Sequence, residues 1–206
     1  MGNKKTRFRR EECKHFAILN MQEISNIFKN LNKNYWFQDG GLLGYYRNND
    51  FISHDTDIDF GIHIDDFNLE VYNALLENNF SLILTRGNVN NSLYLKFSKR
   101  NIFTDFFIYY DIDKNYFYHC AFDNQNRQIN YTYKKFKTTA INFKGVNLLA
   151  PDNIEYFVNT KYGEEWHIPT QDWNHITSPK NASQHDISIS SNESIEIFKK
   201  WIQKKV

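Results

Sequence analysis

Residues 51–64 read FISHDTDIDFGIHI, and the second half of the stretch alternates without a break. Ile58, Phe60, Ile62 and Ile64 fall on one parity; Asp57, Asp59, Gly61 and His63 fall on the other. A period of two predicts a β-strand with one apolar and one acidic face, so the chain must contain a sheet with something packed on its apolar side. Asp57 and Asp59 then project to the same side, close enough to share one divalent cation. Without a cation the two carboxylates repel each other, and Asp disfavours strands. A metal ion removes that repulsion. The competing reading is a solvated strand face that carries two acids by chance, because the motif is short.

The residues just upstream weigh against chance. Tyr35-Trp36-Phe37 reads as a short strand, followed by Gln38-Asp39-Gly40-Gly41-Leu42-Leu43-Gly44-Tyr45-Tyr46-Arg47. Gly40 and Gly41 permit a tight turn and close backbone approach to a ligand. Leu42, Leu43, Tyr45 and Tyr46 suit a helical turn, whose N-terminal N–H groups can hold a phosphate. Strand, Gly-Gly, helix, then a strand with Asp-x-Asp resembles the polymerase-β-type nucleotidyltransferases. More closely, GGLLGYYRNNDFISHDTDIDFGI resembles the signature of the LicD/fukutin family, with Gly41 where many members carry Thr.

Composition narrows the class. The chain has 206 residues, 41% apolar and 17% aromatic, which suits a globular domain with a proper core. A net charge of +1 gives no reason to expect nucleic acid as a partner. Cys13 and Cys120 lie far apart without Cys-x-x-Cys spacing, as expected of reduced thiols rather than a disulfide or zinc framework. No apolar run is long enough for a transmembrane helix, and MGNKKTRFRR lacks the apolar segment of a signal peptide. Its Met-Gly start is too slight a match to argue lipidation. Residues 1–10 form a basic tail, read as solvated, with loose contact to an anionic surface as the alternative. The expected location is the cytoplasm, or the inner face of the membrane if that tail makes a peripheral contact.

Residues 11–177 are expected to form the catalytic domain, and 178–206 a polar linker and C-terminal helix. Ala17, Ile24, Ile27, Phe28 and Leu31 recur at helical spacing between Glu11 and about Lys33. Asp65 suits the N-cap of a helix running to Asn78. Strands are expected at Ser81–Thr85, Leu93–Ser98, Ile102–Tyr110, Tyr116–Phe122, Gln128–Tyr133 and Lys135–Phe143, an antiparallel meander and hence an α+β fold. Within the third of these, Asp105 is the single acid in an aromatic run. Burying it charged costs several kcal/mol unless it is paired or metal-bound, although an edge position facing water would avoid the cost. Asp111 and Asp113 read as hairpin-turn residues.

A second motif lies late in the chain. Pro151 suits the first position of a helix and Gly163 its end, followed by Tyr162-Gly163-Glu164-Glu165-Trp166 running on to Pro169. The LicD/fukutin family has a matching late pattern. The aromatic residues here are either a latch closing the core or a wall of a substrate pocket. Residues 178–194 are rich in Ser and Asn and read as a mobile linker, with Ser191 or Asn192 capping a last helix from Glu193 to Lys204.

The resemblance implies a nucleotidyltransferase (polymerase-β-like) fold, with a mixed central sheet, flanking helices and the antiparallel meander. It implies Mg2+, with Mn2+ as a substitute, held by Asp57, Asp59 and Asp105. Gly40, Gly41 and Arg47 would bind the donor phosphates. His54, Asp55, Tyr162 and Trp166 are candidates for the substrate pocket. The implied activity moves a phospho-alcohol or sugar phosphate from a CDP-type donor to a glycan acceptor, as in the modification of cell-surface polysaccharides. Two alternatives stay open: a nucleotidyltransferase that moves NMP to a small molecule or protein, and a catalytically silent binding module.

Overall fold

The structure is a computed structural model and describes residues 8–170 and 172–203. Most of the basic tail, and the end of the last expected helix at Lys204, lie outside the described residues. The chain forms α1 (Glu11–Asn30), β1 (Trp36–Gln38), α2 (Asp39–Asn48), β2 (Asp57–His63), α3 (Leu69–Glu77), β3 (Ser81–Arg86), β4 (Tyr94–Lys99), β5 (Ile102–Asp111), β6 (Tyr116–Phe122), β7 (Arg127–Lys134), β8 (Thr138–Phe143), β9 (Val146–Pro151), α4 (Ile154–Tyr162), β10 (Ala182–Ser188) and α5 (Ser191–Gln203). This is the α+β architecture expected, with a mainly antiparallel sheet and flanking helices. No helix among the described residues is long and apolar enough to cross a membrane.

The long strand β5 is the axis of the sheet. Its first part runs between β2 and β4, and its last residues pass on to β6, which leads to β7 and β10. Strand β5 is apolar on both parities and buried along nearly its whole length, as a central strand must be. The β2–β5 pair is parallel and the other pairings among the described strands are antiparallel, so the sheet is mixed, as expected. A parallel neighbour needs a crossover, and here α3, β3 and β4 supply it.

One face of this sheet is the core. Ile58, Phe60 and Ile62 of β2, Phe106 and Ile108 of β5, and Leu95 and Phe97 of β4 are all buried there. Helix α1 covers them with Ala17, Met21, Ile24 and Phe28, the helical stripe expected from the sequence. Phe106 sits at the centre, with ring centroids 5.8 Å from Phe60, 5.7 Å from Phe97 and 6.2 Å from Phe28. On the opposite face stand the acids, roofed by α2 and α4, which pack on each other.

Several local expectations are corrected. The helix after β2 is capped by Asn68, whose side chain accepts from the Val71 N–H, not by Asp65, which lies in the preceding turn. Pro151 closes β9 rather than opening α4; Asn153 caps that helix by accepting from the Tyr156 N–H. Gly163 does end α4, at φ 82°. The polar segment 178–194 is not merely a linker, because Ala182–Ser188 forms β10 on the open edge of β7. An edge strand exposes its outer side to water, so its serines and glutamine hide its strand character. The last helix is capped from Ser190, whose hydroxyl accepts from the Glu193 N–H.

Phe106→Ala should cost about 3–5 kcal/mol, since it empties the centre of the core. Urea unfolding of the variant measures this, and a loss under about 1 kcal/mol would contradict the placement of the core.

Candidate functional site

Three strands fix the acids. In the parallel register Asp59 of β2 lies opposite Asp105 of β5, and Asp105 lies opposite Lys96 of β4. Residues that are register partners point to the same face, so Asp59, Asp105 and Lys96 form one row across the sheet. Asp57 stands one step away along β2 on the same parity. The acid face is therefore not a solvated strand face: Asp59 is 8% and Asp105 5% exposed.

Two further carboxylates join the row. Asp39 opens α2 in the left-handed region at φ 52°, buried, and its carboxylate pairs with the Lys161 ammonium from α4. Asp55 is half-buried, and its Oδ2 packs directly on Gly40: a Cβ there would lie 2.1 Å from it. These five acids line a cavity of about 980 Å³ together with Gly40, Arg47, Lys96, Lys161, Tyr162 and Trp166.

The electrostatics follow from this crowding. Burial, then repulsion from Asp57, Asp39, Asp105 and Asp55, holds the Asp59 carboxyl well above the usual carboxylate range. Asp55 is raised in the same way by burial and by Asp57. Burial and Asp57 push Asp105 up to about 7, against the opposing pull of Lys96 and of the Tyr94 hydroxyl. The Lys96 Nζ is 2.8 Å from Asp105 Oδ2 and 3.3 Å from Asp57 Oδ2. Tyr94 donates its hydroxyl to the same Asp105 Oδ2 at 2.7 Å. The other oxygen, Asp105 Oδ1, is buried without a hydrogen-bond partner.

This arrangement fits a divalent cation by its chemistry. A buried carboxylate oxygen with no donor, beside carboxylates that repel one another, is an all-oxygen donor set of the kind Mg2+ takes. Asp57, Asp59 and Asp105 are the residues that would hold such an ion. Among the described residues no three His, Cys, Asp or Glu side chains are already closed around a common point; an ammonium stands between two of the three acids instead.

The other sequence candidates divide. Arg47 lines the cavity, and its Nε is buried without a partner. His54 is exposed and lines the cavity. Tyr162 packs on Trp173 at 4.7 Å and Trp166 on Tyr46 at 5.1 Å, and all but Tyr46 border the cavity. The late motif thus closes on the domain and walls the cavity at once. Gly41 is the exception. It does not border the cavity, and a Cβ there would lie 2.2 Å from the Phe37 ring. Its lack of a side chain serves the packing of α2 on β1, which corrects the expectation that Gly41 contacts the donor phosphates: its place in the structure is a packing one. Asp111 is held by Lys135 at 2.7 Å and by His63 at 3.0 Å, away from the cavity, and Asp113 caps its turn by accepting from the Asn115 and Tyr116 N–H groups.

Sequence reasoning missed Asp39, Tyr94, Lys96 and Lys161. For Tyr94 and Lys96 a signal exists: in Tyr94-Leu95-Lys96-Phe97 the polar-tipped residues share one parity opposite a buried apolar one. Only the register shows which acids they meet.

In chelator, Asp59→Asn should raise the melting temperature by several degrees, because the amide keeps the shape and removes a repelled buried charge. A lower melting temperature would mean that the acids are not in electrostatic conflict.

Comparison with known proteins gives the following matches. The family model described as LicD/FKTN/FKRP, nucleotidyltransferase domain, matches residues 32–153, more than half of the chain. The ribitol-5-phosphate transferase FKTN of Mus musculus is 26% identical over 168 residues, 81% of this chain and 36% of that protein. Its Homo sapiens counterpart is 27% identical over the same shares. An uncharacterized protein of Caenorhabditis elegans is 31% identical over 105 residues, 48% of this chain. The chain spans about a third of the length of the curated relatives it matches.

Proposed function

The chain belongs to the LicD/FKTN/FKRP family, and from that premise we propose that it is a metal-dependent phosphotransferase of nucleotidyltransferase fold, which moves a phospho-alcohol such as ribitol phosphate from a CDP-type donor to a hydroxyl of a glycan acceptor. The single observation that carries this reading is the convergence of Asp57, Asp59 and Asp105 in one cavity, with Asp105 Oδ1 buried and unpartnered. The relatives named as ribitol-5-phosphate transferases support the class of group transferred.

When bound by Asp57, Asp59 and Asp105, Mg2+ would neutralise charge on the transferred phosphoryl group and its leaving CMP. The chain's own residues do the rest. Arg47 reaches into the cavity from the end of α2 and offers an unpaired guanidinium N–H to a phosphate oxygen. Gly40 lets the start of α2 come close to the donor, although the same missing side chain also makes room for Asp55. Lys96 and Tyr94, both donating to Asp105 Oδ2, hold that carboxylate in place so that its other oxygen is left for the ion. Trp166, Tyr162 and Trp173 form an aromatic wall on which a sugar ring can stack.

Incubation with CDP-ribitol, CDP-glycerol and other CDP-linked donors, reading released CMP, tests the proposal. Asp57→Asn and Asp105→Ala should each reduce turnover by at least about a thousandfold, since each removes a charge needed mainly in the transition state. Near-normal turnover by either variant, or full activity in chelator, would end the metal reading. Arg47→Ala should raise the KM for donor about tenfold or more with a smaller effect on kcat. Release of the phospho-alcohol (ribitol phosphate or glycerol phosphate) instead of CMP, or of pyrophosphate when CTP is supplied as donor, would identify the NMP-transferring alternative.

A further inference from the structure

Lys96 is a cation built into the acid row. It occupies the polar parity of β4, between buried Leu95 and Phe97, and only 20% of its side chain is exposed. Its Nζ lies over the Phe103 ring, 5.3 Å from the centroid, and bridges Asp105 and Asp57. A lysine that served only to solvate a strand edge would extend into water. This one turns toward two carboxylates on two different strands.

Asp105 shows what the bridge does. Lys96 and Tyr94 both donate to Oδ2, and no group donates to Oδ1. Two donors on one oxygen fix the rotation of the carboxylate and leave the other oxygen buried with no donor of its own. We propose that Lys96 is a positioning residue for the metal site: its ammonium holds Asp57 and Asp105 together when no divalent ion is bound, presents Asp105 Oδ1 to the ion, and keeps the affinity for that ion low. The inference rests on the metal-dependent reading above. The last element follows from Coulomb's law, since a fixed positive charge a few ångströms from the ion repels it in a medium of low effective dielectric. The lysine thus trades tight metal binding for a cluster that stays assembled when empty.

The test compares the full chain with its Lys96→Met, Lys96→Gln, Lys96→Arg and Asp59→Asn variants, by Mn2+ titration followed by electron paramagnetic resonance and by melting temperature in chelator and in Mg2+. Lys96→Met keeps the stem and loses the charge; Lys96→Gln loses the charge but keeps a donor for Asp105. Both should melt lower than wild type in chelator, recover in Mg2+, and bind Mn2+ about tenfold tighter or more. Lys96→Arg should stay near wild type in both measurements. Unchanged or weaker Mn2+ binding by both neutral variants would overturn the proposal, and so would a loss of stability that Mg2+ does not restore. If wild type binds no Mn2+, or Asp59→Asn binds it as well as wild type does, the metal reading itself fails and this inference fails with it. If wild type binds Mn2+ and Asp59→Asn does not, while the neutral Lys96 variants bind no tighter, the metal reading stands and only the role of Lys96 falls.

Discussion

The structure depends on one parallel register, that of β2 against β5, which sets Asp59 opposite Asp105. The apolar face enforces it. Ile58, Phe60 and Ile62 pair across to Thr104, Phe106 and Ile108, and every one of these six is buried against the helices or within the sheet. A slip by one residue would turn the acids into the core and the aromatics out. The hydrophobic packing of one face therefore compels like charges to meet on the other, where they would never gather by their own energetics. Charge brought out of water in this way costs several kcal/mol per ion unless something offsets it.

Two lysines from distant parts of the chain supply part of the offset. Lys96 comes from the neighbouring strand and Lys161 from α4. Lys161 also explains why two sequence motifs some hundred residues apart belong to one site. It reaches from the turn before Tyr162-Gly163 to Asp39 at the head of α2, and so ties the late helix to the glycine-containing one. Asp39 sits at φ 52°, a conformation that costs a non-glycine residue about 1–3 kcal/mol. A buried pair with a lysine is the kind of surrounding contact that can hold a residue there. The roof over the acids is thus an electrostatic clamp as well as a packing of helices.

Much of this was legible in the sequence, and the unread part has a common cause. Local periodicity marks β2, the strand β6 at Tyr116–Phe122, and the stripe of α1, because alternation and helical spacing need only neighbours in the chain. Asp105 was legible as an acid out of place in an aromatic run. What sequence could not give was pairing. Lys96 looks like an ordinary lysine on a half-buried strand until the register sets it against Asp105. Gly41 looks like part of a phosphate loop until Phe37 is seen against it. β10 looks like linker because an edge strand needs no apolar outer face. Asp55 and Asp39 lie beside the motif in sequence, but their place among the acids depends on how the segment between α2 and β2 folds back onto Gly40.

The charge inventory of the cavity bears on the proposed chemistry independently of any relative. A CDP-type donor carries a diphosphate, and the floor of the cavity carries five carboxylates. The two lysines there are already committed, Lys161 to Asp39 and Lys96 to Asp57 and Asp105. Two arginines also line the cavity, Arg47 with a buried N–H that has no partner and Arg86 donating to Asn126, and two guanidinium groups cannot offset both the five acids and the phosphates. An anionic donor approaching this floor is repelled unless positive charge enters with it or before it. A divalent cation held by Asp57, Asp59 and Asp105 would supply that charge, relieving the carboxylates and offsetting the phosphates. On the proposed reading, the acids that the fold buries in order to place them would make a site that takes an anionic donor only together with a metal.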